Sequence, residues 1–439
     1  MNYSFEPDKL ASLARQSGFL QRGSKLKPED FITTLMFSDL DHSRLSLQDC
    51  CNELEQQSGK SLSKVALHKR FNQRSLEFLK LVLSEQMSLK LDLSGENDWP
   101  PFSRVLISDS TKFALPKQCK NDYPGFGGMR SQALMNIQYA FDIKSGNWET
   151  LELVKATQSD NGYSKSTYQH ILKGDLLIRD LGYMTHEYLA TVAAEEAFFL
   201  NRLHPQWKPV QAITGKFIDW VGLYKKMQGS FDKKLETIVT VGKGEQAFDC
   251  RLIAVPVPEQ VWAERIRKAK IRAKSQRHTL SDEYKARARF SVFITNTDEN
   301  TLKATDVIQL YRLRWQVELI FKTWKSLLDV HKVKSVKKER LECQLIAKFI
   351  WILLNWKAFR CIDSFIKKGS LTYACSMWKF FKQAKLHSQS LKGVVTGKLT
   401  CRHWLKLCIL PIIRNMLIEP KKDKEPSFAI VNGIFNPLS

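Results

Sequence analysis

Apolar positions change their spacing several times along the chain, and each change marks a different kind of element. Over residues 1–95 they recur every three or four positions, through 10–20, 31–40, 45–54 and 62–89, which predicts an all-helical region. Inside it, two short helices flank a Gln-Ser-Gly-Lys turn. The second carries Lys64, His68, Lys69, Arg70 and Arg74, a helix-turn-helix pattern that many helical hairpins share. The polar, proline-ended segment 94–101 reads as a linker. Beyond it the spacing falls towards two. SRVLISDST (103–111) predicts a strand ending in Asp109, and LMNIQYAFDIKSGNWETLELVKA predicts two strands joined by a Lys-Ser-Gly-Asn hairpin. A helix over 164–173, a strand DLLIRD ending at Asp180, a helix capped near Thr185 and a fifth strand over 197–203 follow. Strand, hairpin, helix, strand, helix, strand is an α/β layout with one mixed sheet. Ligands in such sheets gather at strand ends, where the two aspartates stand.

The texture changes again after His204. Alternating runs KPVQAITG, LETIVTVG and FDCRLIAVPVP predict a β-rich insertion, closed by a basic stretch with ten Lys or Arg in 26 residues (264–289). Such a run is commonly a solvated charged helix, and its density also suits a phosphate-facing role. RFSVFITN (289–296) returns to a strand, which leads into the most informative segment of the chain. DVIQLYRLRWQVELIFKTWKSLL (306–328) predicts one long helix, with Thr305 and Asp306 at its start. Leu310, Leu313, Val317, Ile320, Phe321, Trp324, Leu327 and Leu328 share its apolar face. Tyr311, Arg314, Glu318 and Lys325 stack in a row along the edge, at spacings of three, four and seven. One carboxylate among a phenol and two cations is what a metal-binding acid beside a phosphate-binding row requires. Arg314, Glu318 and Lys322 are equally an i, i+4 salt-bridge ladder, a purely structural reading. Past this helix, 332–340 is basic, 341–365 predicts a long buried helix, and the tail from about Lys368 is helical and basic.

Charge narrows the partners. The 439 residues carry 68 Lys and Arg against 45 Asp and Glu, a formal +23, and nucleic acid is the polyanion that would offset it. The most apolar stretch, 346–356, is interrupted by Lys348 and is shorter than the roughly 20 residues a membrane span needs, so no membrane partner is expected. The N-terminus lacks a basic start followed by an apolar core, so no secretory signal is read. The nine cysteines form no CxxC pair and the histidines no HxxxH pair, which predicts neither a zinc site nor a disulfide framework and fits a reducing cytoplasm.

Three carboxylates stand out by position: Asp109, Asp180 and Glu318. Hard divalent cations are held by one or two carboxylates with waters and phosphates, and two such ions can activate an attacking oxygen and stabilise a leaving one at phosphorus. No nucleotide-binding glycine loop, Ser-His-Asp set or cysteine nucleophile competes. An aspartate at a strand end is, taken singly, more often a cap or turn former.

These residues resemble a family. The Tyr-x2-Arg-x3-Glu-x6-Lys row (Tyr311, Arg314, Glu318, Lys325) is similar to the signature of bacterial insertion-sequence DDE transposases of the insertion-sequence-four type. ISDST around Asp109 resembles the family's first-aspartate segment, DLGY at Asp180 its Asp-x-Gly-Tyr segment, and FITN the strand before its glutamate helix. The resemblance implies a ribonuclease-H-like catalytic core (103–204 and 291–366), interrupted by the β-rich insertion (205–290). An all-α N-terminal DNA-binding domain (1–95) and a helical C-terminal region (367–439) would flank it. It implies that Asp109, Asp180 and Glu318 hold two Mg²⁺ ions, with Mn²⁺ able to substitute, and that Tyr311, Arg314 and Lys325 grip DNA phosphates. The implied activity is cut-and-paste transposition by a homodimer on paired double-stranded DNA ends, the terminal inverted repeats, followed by joining to target DNA in the cytoplasm at the nucleoid. Some members stack a flipped base on a tryptophan of the insertion, and Trp207, Trp220 and Trp262 are candidates, each with a core reading as its alternative. Two other readings stand beside it: a nuclease of the same fold that no longer joins strands, and a DNA-binding regulator derived from a transposase, without catalysis.

Overall fold

Side-chain caps fix where the N-terminal helices begin. Ser46 accepts from the backbone N–H of Asp49 while the Asp49 carboxylate accepts from that of Ser46, and Asn72 and Ser75 form the same reciprocal box. In the computed structural model, which describes residues 5–38, 46–91, 102–128, 132–228, 234–242, 244, 247–369, 374–406 and 410–418, these open α3 and α5. The helical region comprises α1 (Pro7–Gln16), α2 (Pro28–Ser38), α3 (Leu47–Ser58), α4 (Lys64–Arg70) and α5 (Gln73–Ser88). Then come β1 (Arg104–Ala114), β2 (Leu134–Asp142), β3 (Trp148–Lys155), α6 (Asp160–Ser164), β4 (Asp175–Arg179), α7 (His186–Ala194) and β5 (Phe198–Arg202). The insertion supplies β6 (Val210–Gln211), α8 (Trp220–Gln228), β7 (Leu235–Val241), β8 (Phe248–Pro256), α9 (Glu259–Ser275) and α10 (Asp282–Arg287). The chain continues through β9 (Phe290–Thr295), α11 (Ala304–Arg312), α12 (Trp315–Ser326), α13 (Lys338–Gly369), α14 (Met377–Leu386), α15 (Ser388–Val395) and α16 (Cys401–Trp404). The linker read at 94–101 lies outside the described residues.

The chain divides into two compact units. The first combines residues 1–98, 110–157 and 316–429. Its centre is α13, 32 residues long and buried along most of its length, packed against α2 and α5. Lys357 of α13 donates to the carbonyls of Gln86 (2.5 Å) and Leu89 (2.8 Å), satisfying groups that the end of α5 leaves without helical partners. The β2–β3 hairpin turns on Asp142, whose carboxylate accepts from the backbone of Lys144 and Ser145, and closes on Gly146 at φ +74°. Tyr139 and Trp148 of this hairpin meet Trp324 of α12 with ring centroids 4.9 and 5.6 Å away, which fixes that helix on the hairpin.

The described residues of the second unit lie within 102–109 and 158–315. Its strands run in the order β1-β4-β5-β9-β8-β7-β6. β1, β4 and β5 are mutually parallel, and every later pairing is antiparallel. Leu177, Phe199, Leu252 and Ile294 of successive strands join Tyr188 and Leu189 of α7 in one buried cluster. Arg104 and Asp175 face each other at the first register position of β1 and β4, and their side chains meet in two bonds of 2.8 and 2.5 Å with Asp175 fully buried. The insertion is not a separate sheet: β8 pairs with β9 from Arg251 opposite Thr295 to Pro256 opposite Phe290, so its strands extend the one that carries the parallel core. Beyond β7 lies only the two-residue β6.

Three sequence expectations need correction. The first strand does not stop at Asp109 but runs on to Ala114, because only its pairing with β4 ends at Ser108. The expected helix over 164–173 is the last residue of α6 followed by a 3₁₀ turn at Lys165–His170, whose hydroxyls at Ser164 and Thr167 are taken up by the buried Arg179. The strand β9 does not lead straight into a helix either. A turn held by Asp298, which accepts from the N–H of Thr301 and of Leu302, separates it from α11.

Candidate active site

Parallel register brings the two aspartates to neighbouring positions. The last paired residues of β1 and β4 are Ser108 and Arg179, so Asp109 and Asp180 are the next residue on each strand, on chains about 4.8 Å apart. Arg179 is turned inward and locked: it donates to Ser164 (2.9 Å) and Thr167 (3.1 Å) and lies over the Tyr188 ring. Alternation along the strand then sends its successor, Asp180, to the other face. Asp180 stands at the N-cap position of the 3₁₀ turn Leu181–Tyr183 but makes no side-chain cap bond, so the turn-former reading does not account for it.

The segment over 306–328 is not one helix. The N–H of Leu313 bonds to the carbonyl of Leu310, and that of Arg314 to Tyr311, a three-residue spacing that tightens the chain into a 3₁₀ turn between α11 and α12. No proline or glycine marks the break. From the tightened turn, Arg314 Nη1 donates to Asp109 Oδ2 at 3.0 Å, with both side chains only 17% exposed. The even row along one helix edge is therefore interrupted at Arg314. Tyr311 precedes the turn, packs edge-on against Phe293 at 5.3 Å, and buries its hydroxyl without a well-formed hydrogen bond. Burial pushes that phenol up from its ordinary pKa, Asp180 nearby adds to the rise, and the Arg314 guanidinium opposes it.

Asp109, Asp180, Tyr311 and Arg314 thus belong to the second unit, whereas Glu318 and Lys325 belong to the first, on α12. There the apolar stripe is as expected: Val317, Ile320, Phe321 and Trp324 are buried, and Glu318 is half-buried at the margin. Lys325 donates to the carbonyl of Lys112 at 2.8 Å, and burial lowers its pKa. Trp315, which opens α12 beside Arg314, is 58% exposed, an aromatic that falls off the apolar face. Of the insertion tryptophans, Trp220 is buried against Phe290, Trp262 donates to the Lys285 carbonyl under the Arg289 guanidinium, and Trp207 stacks on His186 at 3.8 Å. Each is occupied within its own unit.

The donor chemistry of the aspartate pair suits a hard divalent cation: two carboxylates in adjacent register, one balanced by a guanidinium where such an ion would supply charge. Among the described residues no three His, Cys, Asp or Glu side chains gather closely enough to enclose an ion as they stand.

A family model for the transposase DDE domain matches residues 100–354, a span that holds both aspartates and the whole Tyr-Arg-Glu-Lys row. The chain belongs to the DDE transposase family. It is similar to the transposase of insertion sequence element IS231E of Bacillus thuringiensis subsp. finitimus, 29% identical over 367 residues, 79% of this chain and 76% of the relative. It is similar also to the IS231F transposase of Bacillus thuringiensis subsp. israelensis, at 30% over 370 residues with the same coverage of each chain. The IS1151 transposase of Clostridium perfringens is 28% identical over 375 residues, 80% of this chain and 78% of the relative. Enzymes of this family cleave DNA with divalent metal, so the chain is a metal-dependent transposase of insertion-sequence type. Among the described residues no helix is long and apolar enough to cross a membrane.

Proposed function

We propose that this chain carries out cut-and-paste transposition of an insertion sequence. It cleaves strands at the element's ends and then directs attack of the freed 3′-hydroxyl on target DNA. The observation that carries the reading is the adjacency of Asp109 and Asp180 on two parallel strands, with Arg314 against the first. In this reading Asp109 and Asp180 hold divalent metal, and the family motif gives Glu318 the third ligand position. Two Mg²⁺ ions, or Mn²⁺ in their place, would supply an activated oxygen nucleophile and charge stabilisation at the phosphorus when bound. Tyr311 contributes a neutral donor, and Arg314 and Lys325 contribute cations, to phosphates near the cleaved end. The strand order β1-β4-β5 with helices between parallel strands supports a ribonuclease-H-like core spanning 103–204 and 291–366, with 205–290 as its insertion.

End recognition belongs, in the same proposal, to residues 1–95. There α3 ends on Gly59 at φ +66° and α4 follows, capped by Ser63, with Leu67 buried and Lys64, His68 and Lys69 exposed. That geometry suits a short helix laid against duplex DNA. Pairing of two ends calls for a homodimer working in the cytoplasm at the nucleoid, with the C-terminal region read at 367–439, of which α14, α15 and α16 are described, as a candidate for contacts between copies.

The deciding experiment is cleavage of labelled duplex carrying the ends that flank the gene, with Mg²⁺ or Mn²⁺, by wild type and Asp109→Ala. End-specific, metal-dependent nicking that disappears in the variant is the expected result. Binding without cutting by either protein would favour a DNA-binding regulator instead.

A further inference from the structure

Three arginines converge at the end of β5, and among the described residues no carboxylate forms an ion pair with any of them. Arg202 is the last residue of that strand and is half-buried. Burial pushes the pKa of Arg265 and of Arg287 down, the latter to about 10. The charge of Arg202 adds to the fall at both, while Glu283, itself paired with Lys208, opposes it at Arg287. Arg265 and Arg287 are tied to the backbone. Arg265 donates to the carbonyls of Ala288 (3.0 Å) and Phe290 (2.9 Å), and Arg287 to those of His204 (2.7 Å) and Leu203 (3.3 Å). Arg202 is the member of the trio whose donors are left for a ligand.

Register sets Arg202 beside the aspartates. β4 pairs with β5 from Leu176 opposite Phe198 to Ile178 opposite Leu200, and Asn201 Nδ2 donates to the Arg179 carbonyl at 3.0 Å, so the alignment holds one step further. The next step brings Arg202 level with Asp180, just as Asp180 is level with Asp109, on chains about 4.8 Å apart. The face follows from β9. Arg202 stands opposite Phe293, whose ring meets Tyr311, so Arg202 shares the side of the sheet on which Tyr311 packs. The Tyr311 phenol accordingly feels the charges of both Asp180 and Arg202. Half-buried like charges repel one another and lose hydration, so the trio opposes folding unless an anion offsets it. A guanidinium fork matches two oxygens of a phosphodiester.

We propose that Arg202 is a further catalytic residue, whose guanidinium donates to a non-bridging oxygen of the phosphodiester being cut and holds the charge that gathers there. The proposal rests on the transposase reading and adds to it a residue outside the Tyr-Arg-Glu-Lys row, on a different element. Arg202 forms no covalent bond and moves no proton. Its contribution lies in the transition state, where the phosphoryl oxygens carry the most charge.

The test compares full-length wild type, Arg202→Ala and Arg202→Lys in metal-dependent cleavage of a labelled element end at saturating protein, in affinity for that end, and in urea unfolding. Arg202→Ala should cut about 100- to 1000-fold more slowly even when every end is bound. Its affinity for the end should fall by less than about tenfold, since the contact strengthens only as the bond breaks. Its unfolding midpoint should equal or exceed that of wild type, because a repelling charge is gone. Arg202→Lys keeps the charge without the fork and should cut at a rate between the two. Full cleavage by Arg202→Ala would overturn the proposal. So would slow cleavage accompanied by a lower unfolding midpoint, which would make Arg202 a structural residue. A loss recovered entirely by adding protein would reduce it to a grip on bound DNA and overturn the proposal too. Wild type that does not cut its ends would remove the transposase reading as well, whereas normal cutting by both wild type and Arg202→Ala would remove this inference alone.

Discussion

Two Arg–Asp pairs bracket the stretch over which β1 pairs with β4, and they are built differently. At the start, Arg104 meets Asp175 in two short bonds, Asp175 is fully buried, and its carboxylate also accepts from the N–H of Leu172 at 2.9 Å. At the other end, Arg314 Nη1 meets Asp109 Oδ2 at 3.0 Å, with each side chain 17% exposed. A bidentate, buried pair fixes register, because removing either member strands a charge in a low-dielectric site. In the second pair both members keep some contact with water, so each charge is partly solvated. The first pair holds β1 to β4, and the second ties the α11–α12 turn to an aspartate of the proposed site.

That contrast can be broken by mutation. Asp109→Ala, and separately Glu318→Gln, should lower metal-dependent end cleavage by about 1000-fold or more, about 4 kcal/mol of barrier, in a gel assay on labelled ends. DNA binding at low salt should persist in both, and retention of full cleavage by either would remove that carboxylate from the machinery. Asp175→Ala should instead act on the fold, costing about 3 kcal/mol in urea unfolding by leaving Arg104 without its partner. An unfolding midpoint equal to wild type would mean the buried pair fixes nothing. Arg314→Ala is expected to shift stability by less than about 0.5 kcal/mol while reducing the salt slope of end binding by about one unit. The finest discrimination comes from lysine. Arg104→Lys should cost about 1 kcal/mol because it cannot reproduce a fork, whereas Arg314→Lys should be nearly silent in unfolding. Equal costs at the two positions would erase the distinction.

What the sequence made legible follows the range of the interactions. Hairpin turns, caps and the apolar stripe of α12 are set by neighbours within a few residues, so the Lys-Ser-Gly-Asn turn, Thr185 and the Val317–Ile320–Trp324 spacing could be read directly. Asp109 and Asp180 were singled out as strand-end residues, and the register places them side by side, although β1 itself continues past Asp109. The break at Arg314 left no trace in periodicity. The carboxylate that Arg314 meets there lies 205 positions away, and a 3₁₀ turn of ordinary helix-forming residues looks like helix on any local count. The insertion was read as β-rich, but its joining to β9 is a long-range pairing that alternation cannot assign.

The two-residue β6 has a meaning for how this protein behaves in a crowded cell. A sheet that ends on a long flat strand offers a row of unpaired backbone groups on which a second molecule can grow. Here the outermost strand is minimal. On its free side Val210 bridges to Phe217 of its own following turn, and Gln211 exchanges bonds with that turn through Lys216 and Gly215. The chain folds its own end back over the border, and Lys216 sets a charge beside it. Strand-to-strand aggregation therefore finds little template at this margin.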